Sequence, residues 1–513
     1  MSRARKTAGR IAFVGTGPGD AGLLTVRAHR LLATASLVIT DPDVPAEVVE
    51  LAPEGAEVRA AVGDPADVAK DLVTEAKAGR NVVRLVAGDP LTADAVVREA
   101  VAVARTAAMF EVVPGIAPGI AVPAYAGVPL GSTRTEVDVR SEVNWAALAA
   151  SPGPLVLHAT SSHLAETASA LVEHGVPGQT PVAVTVAGST ASQRTVDSTL
   201  ADLAAGLRAA GELPGTLVVT VGAEAGQRGR LSWWESRALY GWQVLVPRTK
   251  EQASLMSDRL SGHGAIPVEV PTISVEPPRS PAQMERAVKG LVDGRYQWVI
   301  FTSTNAVRAV WEKFREFGLD ARAFSGVKLA CIGEATAAKV RSFGIEPELV
   351  PSGEQSSEGL LAEFPPYDDI LDPVDRVLLP RADIATETLA AGLRDRNWEI
   401  DDVTAYRTVR AAPPPADIRE MIKTGGFDAV CFTSSSTVRN LVGIAGKPHT
   451  RTIVACIGPQ TAETAVEFGL RVDVQPEVAQ VPALVDALAE HAARLRAEGA
   501  LPPPRKAKGR GRR

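Results

Sequence analysis

Hydroxyl side chains recur at the starts of candidate helices in the C-terminal half of this 513-residue chain. Ser303 in FTSTNAV and Ser434 in FTSSSTV follow one kind of apolar strand, and Thr336 in CIGEATA and Thr461 in CIGPQTA follow another. A hydroxyl at a helix start caps the exposed amide N–H groups, and those same groups attract anions. Any one of the four loops reads as a plain helix cap. Contributed pairwise by two similar lobes, they would line a cleft suited to a ligand with several carboxylates or phosphates.

In the N-terminal half the strand RIAFVG runs into GTGPGD, with Gly15, Gly17 and Gly19 at alternate positions before Asp20. Such spacing lets a ligand approach backbone amides closely. No Gly-Lys-Ser/Thr follows, so this is not a P-loop. Asp20 stands where a dinucleotide fingerprint has its last glycine, which leaves a dinucleotide site and a ligand-free tight turn as alternatives. AGDP (87–90) and VPGIAPGIAVPAYAGVPL (113–130) follow two further strands. Cys331, Cys431 and Cys456 lie inside apolar runs, as small buried strand residues of a reducing compartment do. With no C-x-x-C and seven scattered histidines, no metal is expected.

The elements that must hold these loops are set out by an internal repeat. VLVPRTKEQASLMSDRLSGHG (244–264) is echoed at 377–397, FTSTNAVRA (301–309) at 432–440, and LACIGEATAAKVRSFGIEPELVP (329–351) at 454–476. Residues 243–492 thus contain one β-α-β-α unit used twice, too few copies for a solenoid and suited to two lobes. Strands alternating with helices predict a doubly wound parallel sheet that binds ligands beyond the carboxyl ends of its strands. EPPRSPAQ (276–283) and AAPPP (411–415) form proline-rich connections at matching points. RIAFVG, ASLVIT, NVVRLVAG, MFEVVPG, GPLVLHA, TPVAVTV and GTLVVTVG are the candidate strands of a second α/β unit over 11–222, with a linker expected at 223–242.

Hydrophobic residues at 45% and charged residues at 22% describe a globular chain of two or three domains. The net charge is −6, but Arg3, Arg5, Lys6 and Arg10 carry +4 and Arg505, Lys506, Lys508, Arg510, Arg512 and Arg513 carry +6. Removing that +10 leaves −16 on the body, which argues against a nucleic-acid-binding core. Residues 1–10 and 493–513 are expected to be solvated basic ends. No apolar run is long enough to cross a bilayer and no secretory signal opens the sequence, so a cytoplasmic location is expected.

Taken in order, VLVPR, FTSTNAV, CIGEATA, LLPRAD, VTAYRT, FDAVCFTSSSTV and CIGPQTAETA resemble the uroporphyrinogen-III synthase family over about 243–490. The resemblance implies closure of the eight-carboxylate linear tetrapyrrole hydroxymethylbilane to uroporphyrinogen III, with inversion of the last ring and without cofactor. Tyr406 in VTAYRT matches the family tyrosine that assists departure of the substrate hydroxyl. Thr461, Ser434 and Ser435 match cleft hydroxyls, with Ser303, Asn305 and Thr336 in the other lobe. Arg248 and Arg381, at the two Pro-Arg strand ends, are expected as carboxylate clamps.

GTGPGD, AGDP, the 113–130 segment and TPVAV (180–184) resemble the tetrapyrrole methyltransferase family over about 11–222, nearest uroporphyrinogen-III C-methyltransferase. The resemblance implies two α/β subdomains, S-adenosylmethionine between them, and a homodimer. Gly15, Gly17, Pro18, Gly19, Asp20, Gly88, Asp89, Pro90, Tyr125 and Ala126 are the implied cofactor residues. The sequence departs from the family in several places. TDPDV (40–44) keeps Asp41 but has no tyrosine, Ala87 replaces a glycine, LTADAVVREA and GSTR replace two expected stretches, and His158-Ala159 replaces Met-Gly. The preferred reading is a fusion of ring closure and methylation. Alternatives are a synthase carrying a non-catalytic methyltransferase-like scaffold, and a two-lobed sensor of carboxylates or nucleotides.

Overall fold

Five short apolar strands carry the first sheet, in the order Glu57–Ala60, Leu37–Thr40, Val82–Val86, Ile11–Gly15, Phe110–Val113, all parallel. This computed structural model describes residues 9–211, 213–248 and 250–502. Ile11–Gly15 and Val82–Val86 are buried along their whole length, because helices cover both faces of a parallel sheet. The helix Pro65–Lys77 opens on a proline and turns Val68, Ala69, Leu72, Val73 and Ala76 inward. Asp41, the acidic residue kept in TDPDV, takes a partly buried structural place. Arg84 bridges it at 2.6 Å and grips Glu99 with Nε at 2.9 Å and Nη2 at 3.0 Å.

The second sheet runs Thr135–Asp138, Leu155–Ala159, Leu217–Val221, Pro181–Val186, Arg194–Thr199. Only its first pair is parallel; the other three pairs are antiparallel. The N-terminal unit is thus a parallel and a mixed subdomain in series.

Residues 223–242 are not a free linker. Trp234 Nε1 donates to the Thr190 carbonyl at 2.9 Å, Trp233 Nε1 to that of Ala124 at 3.0 Å, and Tyr240 Oη to that of Gln193 at 2.5 Å. Trp233 and Trp234 pack on Tyr125, with ring centres 5.1 and 4.5 Å away. The aromatic residues that made the stretch look exceptional are what attach it.

The chain forms two compact units. One runs to Gln243 and includes 259–266 and 489–501; the other holds 244–258 and 267–488. In the second unit one sheet is ordered Ile266–Glu269, Gln243–Val246, Ala429–Phe432, Ile453–Cys456. The other is ordered Ile273–Glu276, Glu399–Arg410, Arg376–Ala382, Trp298–Phe301, Lys328–Cys331. Sequence repeats and lobes therefore do not coincide. Gln243–Val246 from the first repeat pairs with Ala429–Phe432 from the second, and Trp298–Phe301 from the first pairs with Arg376–Ala382 from the second. The chain crosses between lobes through an antiparallel pair that sets Ile273 against Arg410 and Glu276 against Arg407. Both proline-rich connections lie beside this crossing.

Gly9 and Arg10 already bond into the first sheet region, through Gly9 N–H to the Ala76 carbonyl at 2.9 Å and Val82 N–H to the Arg10 carbonyl at 2.8 Å. The last helix, Val481–Ala497, runs five residues into the expected tail. The other basic residues of the two ends, Arg3, Arg5 and Lys6 and those from Arg505 onward, lie outside the described residues. Among the described residues no helix is long and apolar enough to cross a membrane.

Candidate functional site

The expected synthase residues gather at the carboxyl ends of parallel strands, in two groups. In one lobe Ser303 follows Trp298–Phe301, the helix Glu334–Arg341 follows Lys328–Cys331, and Tyr406 lies on Glu399–Arg410. In the other, Arg248 follows Gln243–Val246, Ser434 follows Ala429–Phe432, and the helix Pro459–Glu467 follows Ile453–Cys456.

Tyr406 owes its aim to a break in strand register. Arg381 pairs with Thr404 but Ala382 pairs with Tyr406, so Ala405 is an extra residue on the longer strand. Such a bulge shifts the alternation of side chains and re-aims the next one, so Ala405 and Tyr406 are buried in succession. The phenol oxygen lies 3.0 Å from Ser303 Oγ, and Ser303 in turn accepts the Ala306 N–H at 3.1 Å as N-cap of the helix Thr304–Glu316. A pocket of about 420 Å³ opens here, lined by Tyr406, Asn305, Arg308, Glu276, Pro277 and Lys313 among others. Asn305 Oδ1 accepts from Arg308 at 3.0 Å. Arg308 escaped the sequence reading, although it lies one helical turn beyond Asn305 on the same face.

The hydroxyls divide by role. Ser434 caps its helix reciprocally with Thr437, and Ser435 Oγ donates to the Gln460 carbonyl at 3.0 Å, tying two helices together. Thr336 and Thr461 are not caps. They lie buried inside their helices, whose N-caps are Gly333 and Gly458 and carry no side-chain cap. The first of those helices has its Glu334 N–H taken by Gln355 Oε1 at 3.1 Å, the second opens on Pro459, which has no N–H, and the threonines offer little surface.

The two Pro-Arg arginines part company. Arg381 is buried and tied internally: Nε donates to Asp402 Oδ1 at 2.8 Å, and the other guanidinium nitrogens reach Asp402, Glu387 and the Thr386 carbonyl. Asp402 beside it raises its pKa further. It is a structural tie and not a carboxylate clamp. Arg248 is partly buried, its side chain meets no hydrogen-bonding or ionic partner among the described residues, and burial lowers its pKa. A desolvated guanidinium without a counter-ion suits an incoming carboxylate.

In the N-terminal unit a cleft of about 690 Å³ lies between the subdomains. Gly17, Pro18 and Gly88 line it, with Ala87 beside them. Gly17 and Gly88 bond to each other in both directions at 3.2 and 2.8 Å, each with a left-handed φ, +75° and +72°, that only glycine adopts without strain. The remaining expected cofactor residues do not line this cleft. Gly15 is required by close packing, since a Cβ would meet Gly88 O and Gly115 N at 2.5 Å, and Gly19 lies against Thr190. Asp20 caps the turn at Gly22 and accepts the Tyr125 phenol at 2.8 Å, so Tyr125 faces the tryptophans. Asp89 holds the amides of Leu91 and Gly115, Pro90 is buried, and Ala126 packs in an apolar cluster with Val128, Ala183 and Ala225.

The sequence reading missed most charged groups of that cleft. Asp43, Asp94, Glu136 and Asp138 face Arg140 and His158. Glu136 receives a 2.8 Å hydrogen bond from His158 and Asp138 one of 2.8 Å from Arg140, which holds both carboxyls below their ordinary range. His158 replacing an expected methionine was the one visible signal. Its partner comes from the neighbouring strand, where Asp138 is in register with His158 and Glu136 with Val156.

Comparison with known proteins adds two family matches. Residues 254–486 match the model for uroporphyrinogen-III synthase HemD, and residues 10–204 match that for tetrapyrrole (corrin/porphyrin) methylases. Porphyrin biosynthesis protein HemD of Ruminiclostridium josui is 26% identical over 511 residues, covering 94% of this chain and 98% of its own. Siroheme synthase of Escherichia coli O139:H28 is 31% identical over 245 residues, covering 44% of this chain but only 53% of its own length. Uroporphyrin-III C-methyl transferase from Thermus thermophilus, solved with S-adenyl homocysteine, is 28% identical over 42% of this chain and 99% of that chain, with a TM-score of 0.38. The chain thus carries, in one polypeptide, a segment similar to tetrapyrrole methylases, residues 10–204, followed by one similar to uroporphyrinogen-III synthases, residues 254–486.

Proposed function

We propose that the C-terminal unit closes hydroxymethylbilane to uroporphyrinogen III with inversion of the last ring, and that the N-terminal unit methylates the product. The observation that carries the first step is Tyr406. Its phenol is buried on a register break at a strand end, beside a helix start and a pocket, within the synthase segment. The phenol proton passes to the departing hydroxyl as the C–O bond breaks, water leaves, and a delocalised azafulvene cation remains for ring closure. Arg248 holds a substrate carboxylate.

The N-terminal cleft fits S-adenosylmethionine in size and charge: about 690 Å³, glycine-lined on one side, with four carboxylates that suit a sulfonium cation. Bound there, the cofactor supplies an electrophilic methyl group. Gly17, Pro18 and Gly88 provide the backbone wall, and the ion pairs of Glu136 and Asp138 set the polarity of the opposite one. The same charges favour a second reading. An octacarboxylate macrocycle is repelled by Asp43, Asp94, Glu136 and Asp138, with only Arg140 and His158 against them, which suits a non-catalytic scaffold. A homodimer through this unit and a cytoplasmic setting belong with either reading.

Incubating the protein with fresh hydroxymethylbilane, with and without S-adenosylmethionine, separates these cases. Type III isomer with added methyl mass supports both steps. Type III isomer without methyl supports the scaffold reading, and type I isomer alone removes the synthase assignment.

A further inference from the structure

We propose that Ser303 is a positioning residue for Tyr406 and not a ligand of the substrate; this rests on the synthase reading above. The geometry is specific. Ser303 Oγ already accepts the Ala306 N–H at 3.1 Å, at the start of a 13-residue helix. That amide lies at the positive end of the helix dipole, so it draws electron density from the serine oxygen and makes the serine O–H a better donor. Its hydrogen-bonding neighbour besides the helix amide is the Tyr406 phenol oxygen, 3.0 Å away. Donation from serine to phenol has two consequences. It leaves the phenol proton free to point into the pocket that Tyr406 shares with Asn305 and Arg308. It also stabilises the negative charge that grows on the phenol oxygen as its proton passes to the leaving hydroxyl. The reverse bond, phenol to serine, would turn that proton away from the substrate. The extra residue Ala405 is what brings Tyr406 to this partner, because without the break in register its side chain would fall on the other face of the strand.

The test is the rate of type III isomer formation by the full chain and by S303A, S303T, S303D, Y406F and S303A/Y406F. Ser303→Ala is expected to lower kcat about tenfold while KM stays within about twofold, since the effect is on the transition state. Ser303→Thr restores the hydroxyl and recovers most of the loss. Ser303→Asp still caps the helix but can only accept, so kcat falls at least as far as in S303A while the thermal midpoint holds. In the Y406F background Ser303→Ala changes kcat by no more than about twofold, the signature of one residue acting through another. The proposal is overturned if S303A raises KM with kcat intact, if S303D keeps the wild-type kcat, or if the S303A loss is undiminished in Y406F. Wild-type protein that yields only type I isomer overturns the synthase reading and this proposal together, a result distinguishable from all of these.

Discussion

Arg381 and Asp402 face each other across neighbouring parallel strands, with Nε donating to Oδ1 at 2.8 Å and Nη2 reaching Oδ2. Arg248 occupies the matching position in the other copy of the repeat and has no such carboxylate beside it among the described residues. One ancestral-looking Pro-Arg strand end thus serves two purposes, an internal tie in one lobe and an available cation in the other.

Substituting each arginine should separate those purposes. Arg248→Gln is expected to raise KM by about tenfold or more while leaving the fold intact, because one charge-assisted bond to a substrate carboxylate is lost. Arg381→Gln is expected to leave KM near wild type and to lower stability by about 1 kcal/mol, because the half-exposed Asp402 loses its partner. Steady-state kinetics and urea unfolding read both. A large KM effect from Arg381 with unchanged stability would contradict the assignment.

The cysteines give a chemical test of the strand cores. Cys331, Cys431 and Cys456 are all buried, and burial pushes each thiol up to about 12. Thiolate is the reactive form, so at pH about 8 native protein should consume almost no aromatic disulfide reagent. Three equivalents should react once the chain is unfolded. Rapid labelling of the native protein would place at least one of these strands at the surface.

How far the fold was readable depends on what each strand faces. Of the seven strands recognised in the N-terminal unit, six are central and rich in Val, Leu and Ile, and the seventh, Phe110–Val113, is a sheet edge flanked by a recognisable apolar run. Glu57–Ala60, Thr135–Asp138 and Arg194–Thr199 escaped notice because they are polar sheet edges with little alternation to detect. The repeat was plain, but the exchange of its halves was not. Similarity tells which strands look alike, whereas pairing joins Val244 to Ala429 across most of the unit. Tyr406 was recognisable from VTAYRT, yet the register break that aims it depends on the neighbouring strand. Likewise Pro-Arg reads identically at 248 and 381, and Asp402, which decides the difference, is 21 residues away.

Acid should loosen the N-terminal cleft. Glu136 is held below its ordinary 4.5 chiefly by the hydrogen bond from His158, and Asp138 below its ordinary 3.8 by Arg140. A carboxyl depressed in the folded state adds stability above its unfolded value and loses it as pH falls through the folded one. Comparing wild type with Glu136→Gln/Asp138→Asn, the stability difference should therefore be largest near neutral pH. It should shrink steadily as pH falls below about 5 and through the depressed folded values. A difference that grows on acidification would mean that these pairs do not stabilise the fold.

Residues 223–242 should resist proteolysis although their sequence reads as a connection. Arg228 is held by Asp197 at 2.6 Å and Glu235 at 2.7 Å. The Arg237 guanidinium lies over the Trp234 ring, 3.5 Å from its centre, while Nε donates to the Trp234 carbonyl at 3.0 Å. A protease needs several residues of extended, accessible chain, which this packing denies. Trypsin is therefore expected to spare Arg228 and Arg237 in the native protein. Trp234→Ala removes the ring that Tyr125 and Arg237 both pack on and the bond to the Thr190 carbonyl, a loss of about 3 kcal/mol for a large aromatic. Cutting after Arg237 should then become fast while the synthase unit stays intact on a gel. Equal, rapid cleavage in wild type and variant would return the segment to the status of a linker.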